Sequence, residues 1–414
     1  MKIKFDINKL FEKIKDSYIL FYIFYFITLF VDTTTLIVDY PVIVLITKVI
    51  RYFTYILFFS RFILILPKIL KEFTNIKISK TKVLIISLCV LFFIGLVGNL
   101  ICTGKTRFIF LFLVLLASYD ISYDDIIKRM SKLQMILTIV IVTLSLFGVT
   151  QNYIVGRGSI SRYSLGFIYT TNLSQMIVFS IVLNAYTNKF KMKNIQLLYI
   201  QLINLLVYFI TNSRAEFIVL EFIILVCLVN NSNIINKSKE LKEKIAKFFC
   251  YSYALYPMLS FIIVCMYSVG GVFYKINSLL SNRLSQTYKV LQQYGIKIFG
   301  TNIEFIGNGI IDKMKYGSQI TSNYVDNEYI QVLFSYGWIF ALSFILLLNA
   351  VLIYLYKKHE YKKILICFIY LMFGLLNPRI INVLYSPIMF ILVHEVISYL
   401  KSKNLKSVIE GDIK

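Results

Sequence analysis

Twelve largely apolar stretches, most of them of bilayer length, follow one another along the 414-residue chain with mostly short connectors between them. A helix needs about 20 apolar residues, and no fewer than about 17, to cross the hydrocarbon core. The stretches lie near residues 17–38, 41–66, 82–102, 107–121, 131–150, 170–188, 194–211, 214–231, 247–270, 330–356, 361–377 and 380–400. Hydrophobic residues make up 58% of the chain, more than a soluble domain can hide, so most of this surface is expected to meet lipid. The fold class that follows is an all-α polytopic membrane protein of about 12 transmembrane helices. One polar interval of 59 residues, 271–329, interrupts the series and is expected to form a single large extracytoplasmic loop capping a site. The chain then divides into nine helices over 1–270, the loop with an amphipathic helix over 271–329, and three helices with a tail over 330–414.

The net charge of +23 belongs to topology. A nucleic-acid-binding chain would gather its lysines on one face. Here they lie in alternate connectors: Lys2 to Lys15, Lys68 to Lys82, Lys128 to Lys132, Lys189 to Lys193, Lys237 to Lys247, Lys357 to Lys363, and the tail from Lys401. Apart from 271–329, the opposite connectors are nearly bare of lysine. By the positive-inside rule both termini are cytoplasmic and 271–329 lies outside. The lysine-rich start followed by a long apolar run resembles an export signal, but no small-residue cleavage site follows, so it is read as the first membrane helix. The six cysteines stand singly in or beside apolar runs, without metal or redox spacing, and read as packing residues.

Arginine is distributed differently. Of nine arginines, six (Arg107, Arg157, Arg162, Arg214, Arg283 and Arg379) fall at or beyond the outer surface on this topology. A guanidinium presents a planar fork that grips phosphate or carboxylate in two places, so the six together suggest a polyanion site. Arg214 follows Thr211-Asn212-Ser213 in a tight turn, and Arg157 and Arg162 share a glycine-containing connector. Lys48 and Arg51 share a face of the second span, and Glu221 lies near mid-depth in the eighth; an Arg51–Glu221 ion pair is the expected structural solution. Arg61 is expected to snorkel to the inner surface.

Within 271–329, Leu280, Leu284, Thr287, Leu291 and Tyr294 recur at helical spacing before Gly295, which predicts one amphipathic helix lying flat on the membrane with Arg283 on its polar flank. Asp326 or Asn327 is placed to cap the next helix. Asp326 and Glu328 have the alternate spacing that holds a divalent ion in an extended chain, but they diverge by about 200° if a helix starts there; the metal-free and cofactor-free version is favoured, with fixed arginines stabilising the leaving pyrophosphate of a lipid-linked donor.

Four segments together resemble a known family. They are Arg162-Tyr163-Ser164-Leu165-Gly166-Phe167 with Asn172; Thr211-Asn212-Ser213-Arg214; Asn282-Arg283-Leu284 leading to Phe299-Gly300; and Asp326-Asn327-Glu328-Tyr329 with Gly337. Their order and topological places resemble those of Wzy-type O-antigen and capsular polysaccharide polymerases over about residues 150–340. The resemblance implies a C-type glycosyltransferase membrane fold in the bacterial cytoplasmic membrane. The implied reaction moves a growing glycan from an undecaprenyl-pyrophosphate carrier onto an incoming lipid-linked repeat unit, with a chain-length regulator and a flippase as partner proteins. Arg214, Arg283 and Asp326 would act in the reaction, Asp326 as base, and Arg157, Arg162, Asn327, Tyr329 and Arg379 would hold substrate. Related ligases carry a His-Asn pair where this chain has Asp326-Asn327, which separates it from them. A lipid-linked oligosaccharide flippase is the other alternative, kept open by Lys48, Arg51 and Glu221.

Overall fold

The computed structural model describes residues 7–74, 79–157, 159–232, 239–317 and 322–402. Lys2, Lys4, Lys77, Lys237 and the tail beyond Ser402, which enter the orientation argument, lie outside the described residues. The helices are α1 (Ile7–Val31), α2 (Leu36–Asp39), α3 (Pro41–Thr74), α4 (Lys80–Thr103), α5 (Arg107–Ala117), α6 (Tyr123–Leu146), α7 (Thr170–Thr187), α8 (Asn194–Thr211) and α9 (Arg214–Asn231). They continue with α10 (Lys239–Ser252), α11 (Leu255–Cys265), α12 (Val272–Leu279), α13 (Arg283–Tyr294), α14 (Ile310–Tyr316), α15 (Glu328–Tyr336), α16 (Trp338–Lys357), α17 (Tyr361–Phe373) and α18 (Ile388–Lys401). A helix occupies each of the twelve places that the apolar stretches mark.

The expected count of about twelve spans is corrected by helix length and polarity. Among the described residues five helices, α3, α4, α6, α8 and α16, are long and apolar enough to cross a membrane, and a sixth arises if α10 and α11, bent by 53°, form one span. The others fall short for identifiable reasons. Helix α7 turns Asn172, Ser174, Gln175 and Ser180 into the protein interior, and α9 carries Arg214, Glu216 and Glu221 within 18 residues. Helices α17 and α18 have only 13 and 14 residues, because the chain between them is irregular around Pro378 and Pro387, where no backbone N–H can join a helix.

Lys82, Lys363 and Lys401 lie at one end of the bundle and the arginines expected outside at the other, where Lys48 and Lys313 join them. Lys82 at the start of α4 donates to Leu400 O and Ser402 O at 2.8 and 2.7 Å; Lys363 pairs with Glu395 at 2.8 Å and Lys401 with Glu72. These contacts tie the ends of α3 and α18 to the starts of α4 and α17. The arginines expected outside gather where the same helices have their other ends. Arg61 is corrected: it does not snorkel but is buried, donating to Ala117 O at 2.8 Å and to Asp120 at 2.5 Å. The Arg51–Glu221 pair does not form. Arg51 binds Asp32 at 2.6 Å, while Glu221 accepts from Gln201 and Asn204, both at 2.8 Å.

Two expectations about connectors also change. The connector before α7 holds a two-stranded antiparallel hairpin, β1 (Ile154–Arg157) and β2 (Ile160–Tyr163), pairing Val155 with Arg162. The interval 271–329 is not one loop with one helix. Helix α12 ends at Leu279 and α13 begins at Arg283, separated by Ser281 and Asn282 with φ of 55° and 65°, a left-handed break that turns the chain.

This interval is pinned to the bundle by two glycines. A Cβ on Gly337 would stand 2.2 Å from Ile298 O, and one on Gly300 2.3 Å from Ser335 O. Only hydrogen fits where the Ile298–Gly300 segment crosses the α15–α16 junction, and both positions also have positive φ. Asn99 of α4 bridges the crossing, donating to Phe299 O at 2.7 Å and to Ser335 O at 2.8 Å. Gly307 and Gly309 similarly sit under the Tyr169 ring, whose hydroxyl donates to Asp312.

Candidate functional site

At the arginine end the helix termini surround a cavity of about 1180 Å³. Six arginines line it: Arg51, Arg107, Arg162, Arg214, Arg283 and Arg379, joined by Lys48 and Lys313, against the carboxylates of Asp32, Glu216 and Asp326. Five of the six arginines expected at the outer surface therefore meet in one space. The sixth, Arg157, closes β1 opposite Ile160, and its side chain lies outside the described residues.

The Thr211-Asn212-Ser213-Arg214 segment joins α8 to α9, whose first turn also carries the buried carboxylate of Glu216. Asn212 takes a left-handed conformation (φ 48°) that ends α8, and α9 starts two residues later at Arg214. Ser213 precedes the helix without making a side-chain cap. Its hydroxyl and the Asn212 side-chain oxygen are both buried with no hydrogen-bond partner among the described residues. The first-turn N–H groups of an 18-residue helix and its positive dipole end point the same way. Arg214 is exposed and makes no hydrogen bond or ion pair with any described residue. A free guanidinium, an idle hydroxyl and a helix N-terminus on a cavity wall are complementary to phosphate.

The other arginines are oriented by their surroundings. Arg162 Nε donates to Thr211 O at 2.5 Å, which clamps the hairpin to the end of α8. Arg283 Nε pairs with Asp326 at 3.0 Å while Nη1 donates to Leu376 O at 2.8 Å. Arg379 donates to Gln175 Oε1 at 2.8 Å and Asn172 Oδ1 at 3.1 Å, and lies 4.3 Å from the Tyr385 ring centre. Gln175 in turn donates to Glu216 at 2.9 Å. One amide thus links Arg379 to Glu216 and holds both without neutralising either.

Asp326 is half-buried, with a quarter of its side-chain surface accessible. Burial pushes its carboxyl above the ordinary range, while Arg283 and Arg379 pull it back. Asn327, not Asp326, caps α15, accepting from Ile330 N at 3.2 Å. Glu328 accepts from Ile380 N at 3.2 Å, whereas Asp326 pairs with Arg283; burial pushes the Glu328 carboxyl up to about 7 against the pull of Ile380 N and Arg379. Tyr329 is buried, accepting from Tyr253 at 3.1 Å and donating to Leu371 O at 2.8 Å. Asn327 and Tyr329, expected to bind substrate, therefore position α15, and neither lines the cavity. Among the described residues no group of three or more His, Cys, Asp or Glu is arranged to hold a metal.

Sequence reasoning placed the arginines but missed what they share. Glu216 and Gln175 belong to the site through α7 and α9 packing, and Lys48 and Arg51, read as interior residues, open onto the cavity. The signal for Lys48 and Arg51 was their cost in an apolar helix.

Fold and cavity together define an all-α membrane protein with an arginine-walled chamber at one end of its helix bundle. No family model, curated protein or solved structure matches the chain.

Proposed function

We propose that the protein is a polysaccharide polymerase, transferring a growing glycan from an undecaprenyl-pyrophosphate carrier onto an incoming lipid-linked repeat unit at the outer face of a bacterial cytoplasmic membrane. The observation carrying this reading is the convergence of Arg107, Arg162, Arg214, Arg283 and Arg379, from five separate segments, on one cavity with three carboxylates. On this reading both termini are cytoplasmic, and 271–329 covers the chamber from outside. Leu279, Leu280, Ser281, Asn308, Ser322 and Tyr324 of that interval line it.

In the reaction, the bond between the donor sugar's anomeric carbon and the pyrophosphate oxygen breaks, and a bond forms from that carbon to the acceptor hydroxyl oxygen. The electron pair leaves on the pyrophosphate, where Arg214, Arg283 and the α9 N-terminus stabilise the charge. The hydroxyl proton passes to the Asp326 carboxylate, whose basicity burial raises. Arg162 and Arg379 hold the phosphates and first sugars. A chain-length regulator and a flippase would be its partner proteins. Lys401, Lys363 and Lys82 at the opposite end are held by Glu72, Glu395 and backbone carbonyls, whereas Arg214 in the chamber has no described partner, which favours polymerase over flippase.

Cells carrying Arg214→Ala or Arg283→Ala should keep the protein in the membrane, lose long-chain polysaccharide and accumulate single lipid-linked repeats. Full-length polymer from both variants would overturn the assignment.

A further inference from the structure

The cations of the chamber fall into two groups, and each adjoins its own apolar rim. Arg162 and Arg214 meet at the α8–α9 turn, Arg162 donating to Thr211 O at 2.5 Å and Arg214 opening α9, and Arg283 opens α13 paired with Asp326 at 3.0 Å. Arg51 and Arg107 lie on α3 and α5, which pack against each other, with α1 also packed on α3. Arg379 is tied to Asn172 and Gln175 of α7. Beside the first group the wall is Ala215, Ile218, Leu279 and Leu280, with Ile218 64% and Leu279 82% exposed. Beside the second it is Leu29, Tyr52, Tyr55 and Phe110, with Tyr52 62% exposed and Tyr55 stacked on Phe110 at 4.3 Å.

A cation group next to an exposed apolar rim suits an amphiphile, with its anionic head on the guanidinium groups and its chain along the rim. The second lobe has groups to spare. Arg107 and Lys48 are exposed and make no hydrogen bond or ion pair with any described residue. Arg51 is aimed by Asp32 and by Thr28, which accepts from Nε at 3.2 Å and Nη2 at 2.8 Å. Lys48 and Arg51 sit on α3, which otherwise exposes Val49, Tyr52, Phe53 and Ile56. Cations in such a helix are costly unless they serve a function, and for Lys48 no structural partner is in place. Of the carboxylates lining the chamber, Asp32 lies in this lobe and is held by Arg51 at 2.6 Å, while Glu216 and Asp326 lie with the first group. The Lys48 lobe can therefore hold an anion on cations that exceed its one carboxylate.

We propose that Lys48, Arg51 and Arg107 form a second prenyl-pyrophosphate subsite, which holds the non-reacting lipid anchor of the acceptor while Arg162, Arg214 and Arg283 hold the donor's. The assignment of donor and acceptor rests on the polymerase reading; two amphiphile seats in one chamber do not. An acceptor that extends by its far sugar keeps its own pyrophosphate intact, so its anchor needs cations and an apolar rim but no catalytic group.

Native mass spectrometry of the purified full chain, with sugar-free undecaprenyl pyrophosphate, phosphatidylglycerol or inorganic pyrophosphate, tests the two seats. Wild type should retain two prenyl pyrophosphates, and Lys48→Ala/Arg107→Ala only one. Lys48→Arg/Arg107→Lys should retain two, which reports that the fold survives. With lipid-linked repeats as substrate, the double alanine variant should raise KM for acceptor roughly tenfold or more and leave KM for donor near wild type. Two retained ligands and an unchanged acceptor KM in the double alanine variant would overturn the proposal. So would phosphatidylglycerol displacing the second ligand as readily as its own kind, which would make the lobe an ordinary lipid site. Competition by inorganic pyrophosphate alone, without the prenyl chain, would also sink it. Absence of polymer from wild type, with two ligands still bound, would fail the polymerase reading and leave the two seats standing.

Discussion

Replacing Arg214 separates function from folding more cleanly than any other change in the molecule. Its guanidinium has no described hydrogen-bond or ion-pair partner and points into the chamber. It also stands at the first residue of α9, where the positive helix end makes a cation unfavourable by about 0.3–1 kcal/mol. Arg214→Ala should therefore shift unfolding free energy by no more than about 0.5 kcal/mol, with a slight gain favoured. The same change removes a positioned donor from a developing pyrophosphate charge, a loss of about 10²–10³ in rate, or about 3–4 kcal/mol of transition-state stabilisation. Arg214→Lys keeps the charge but not the fork and should fall between. The assay is initial polymerisation rate on lipid-linked repeats in detergent, beside thermal unfolding of the same preparations. A wild-type rate from Arg214→Ala, or a melting temperature collapsed along with activity, would refute the argument that this side chain serves substrate alone.

Arg283→Ala and Asp326→Asn should both abolish polymer, yet each should cost only about 1 kcal/mol of stability or less, because their 3.0 Å pair is partly exposed. Since burial raises the Asp326 carboxyl, its active, deprotonated form should be lost on acidification while the pH is still above the ordinary aspartate range; a rate flat to that range would remove Asp326 as the base. Glu328, pushed up to about 7, binds a proton in the folded state that the unfolded chain has released between the ordinary glutamate value and about 7. Stability should consequently fall as pH rises through that window, by about 3 kcal/mol, and Glu328→Gln should flatten the profile in thermal melts from pH 5 to 8. Gly337→Ala, with φ 86° and a Cβ 2.2 Å from Ile298 O, should cost several kcal/mol and loosen the interval, read as faster proteolysis near residues 296–300.

Much of this architecture is written in hydropathy, because a helix that meets lipid must be apolar along its length. The boundaries of α8 and α9 coincide with the expected 194–211 and 214–231, since Asn212 can take the left-handed turn and Ser213 can start a helix. What stayed hidden depends on neighbours. The polar face of α7 is legible only once α9 and the α17–α18 connector are packed against it, so Gln175 and Glu216 gave no separate signal. The hairpin at Ile154–Tyr163 was masked by its glycines and by its shortness. Lys48 and Arg51 did announce themselves by cost, but Arg51 found Asp32, a partner at the end of the adjacent helix, where sequence reasoning had chosen the distant Glu221. The glycines near Phe299 and at Gly337 were seen as motif; their cause, a backbone crossing, needed coordinates.

If the arginine chamber elongates glycans on lipid carriers, it needs no other protein to do so. Purified protein reconstituted in vesicles with defined lipid-linked repeat units, and no other protein, should produce a ladder of polymer on a sizing gel, with undecaprenyl pyrophosphate released in step and with the same ladder in the presence of chelator. Repeat units that change leaflet without lengthening would contradict the account and make the chamber a transport site.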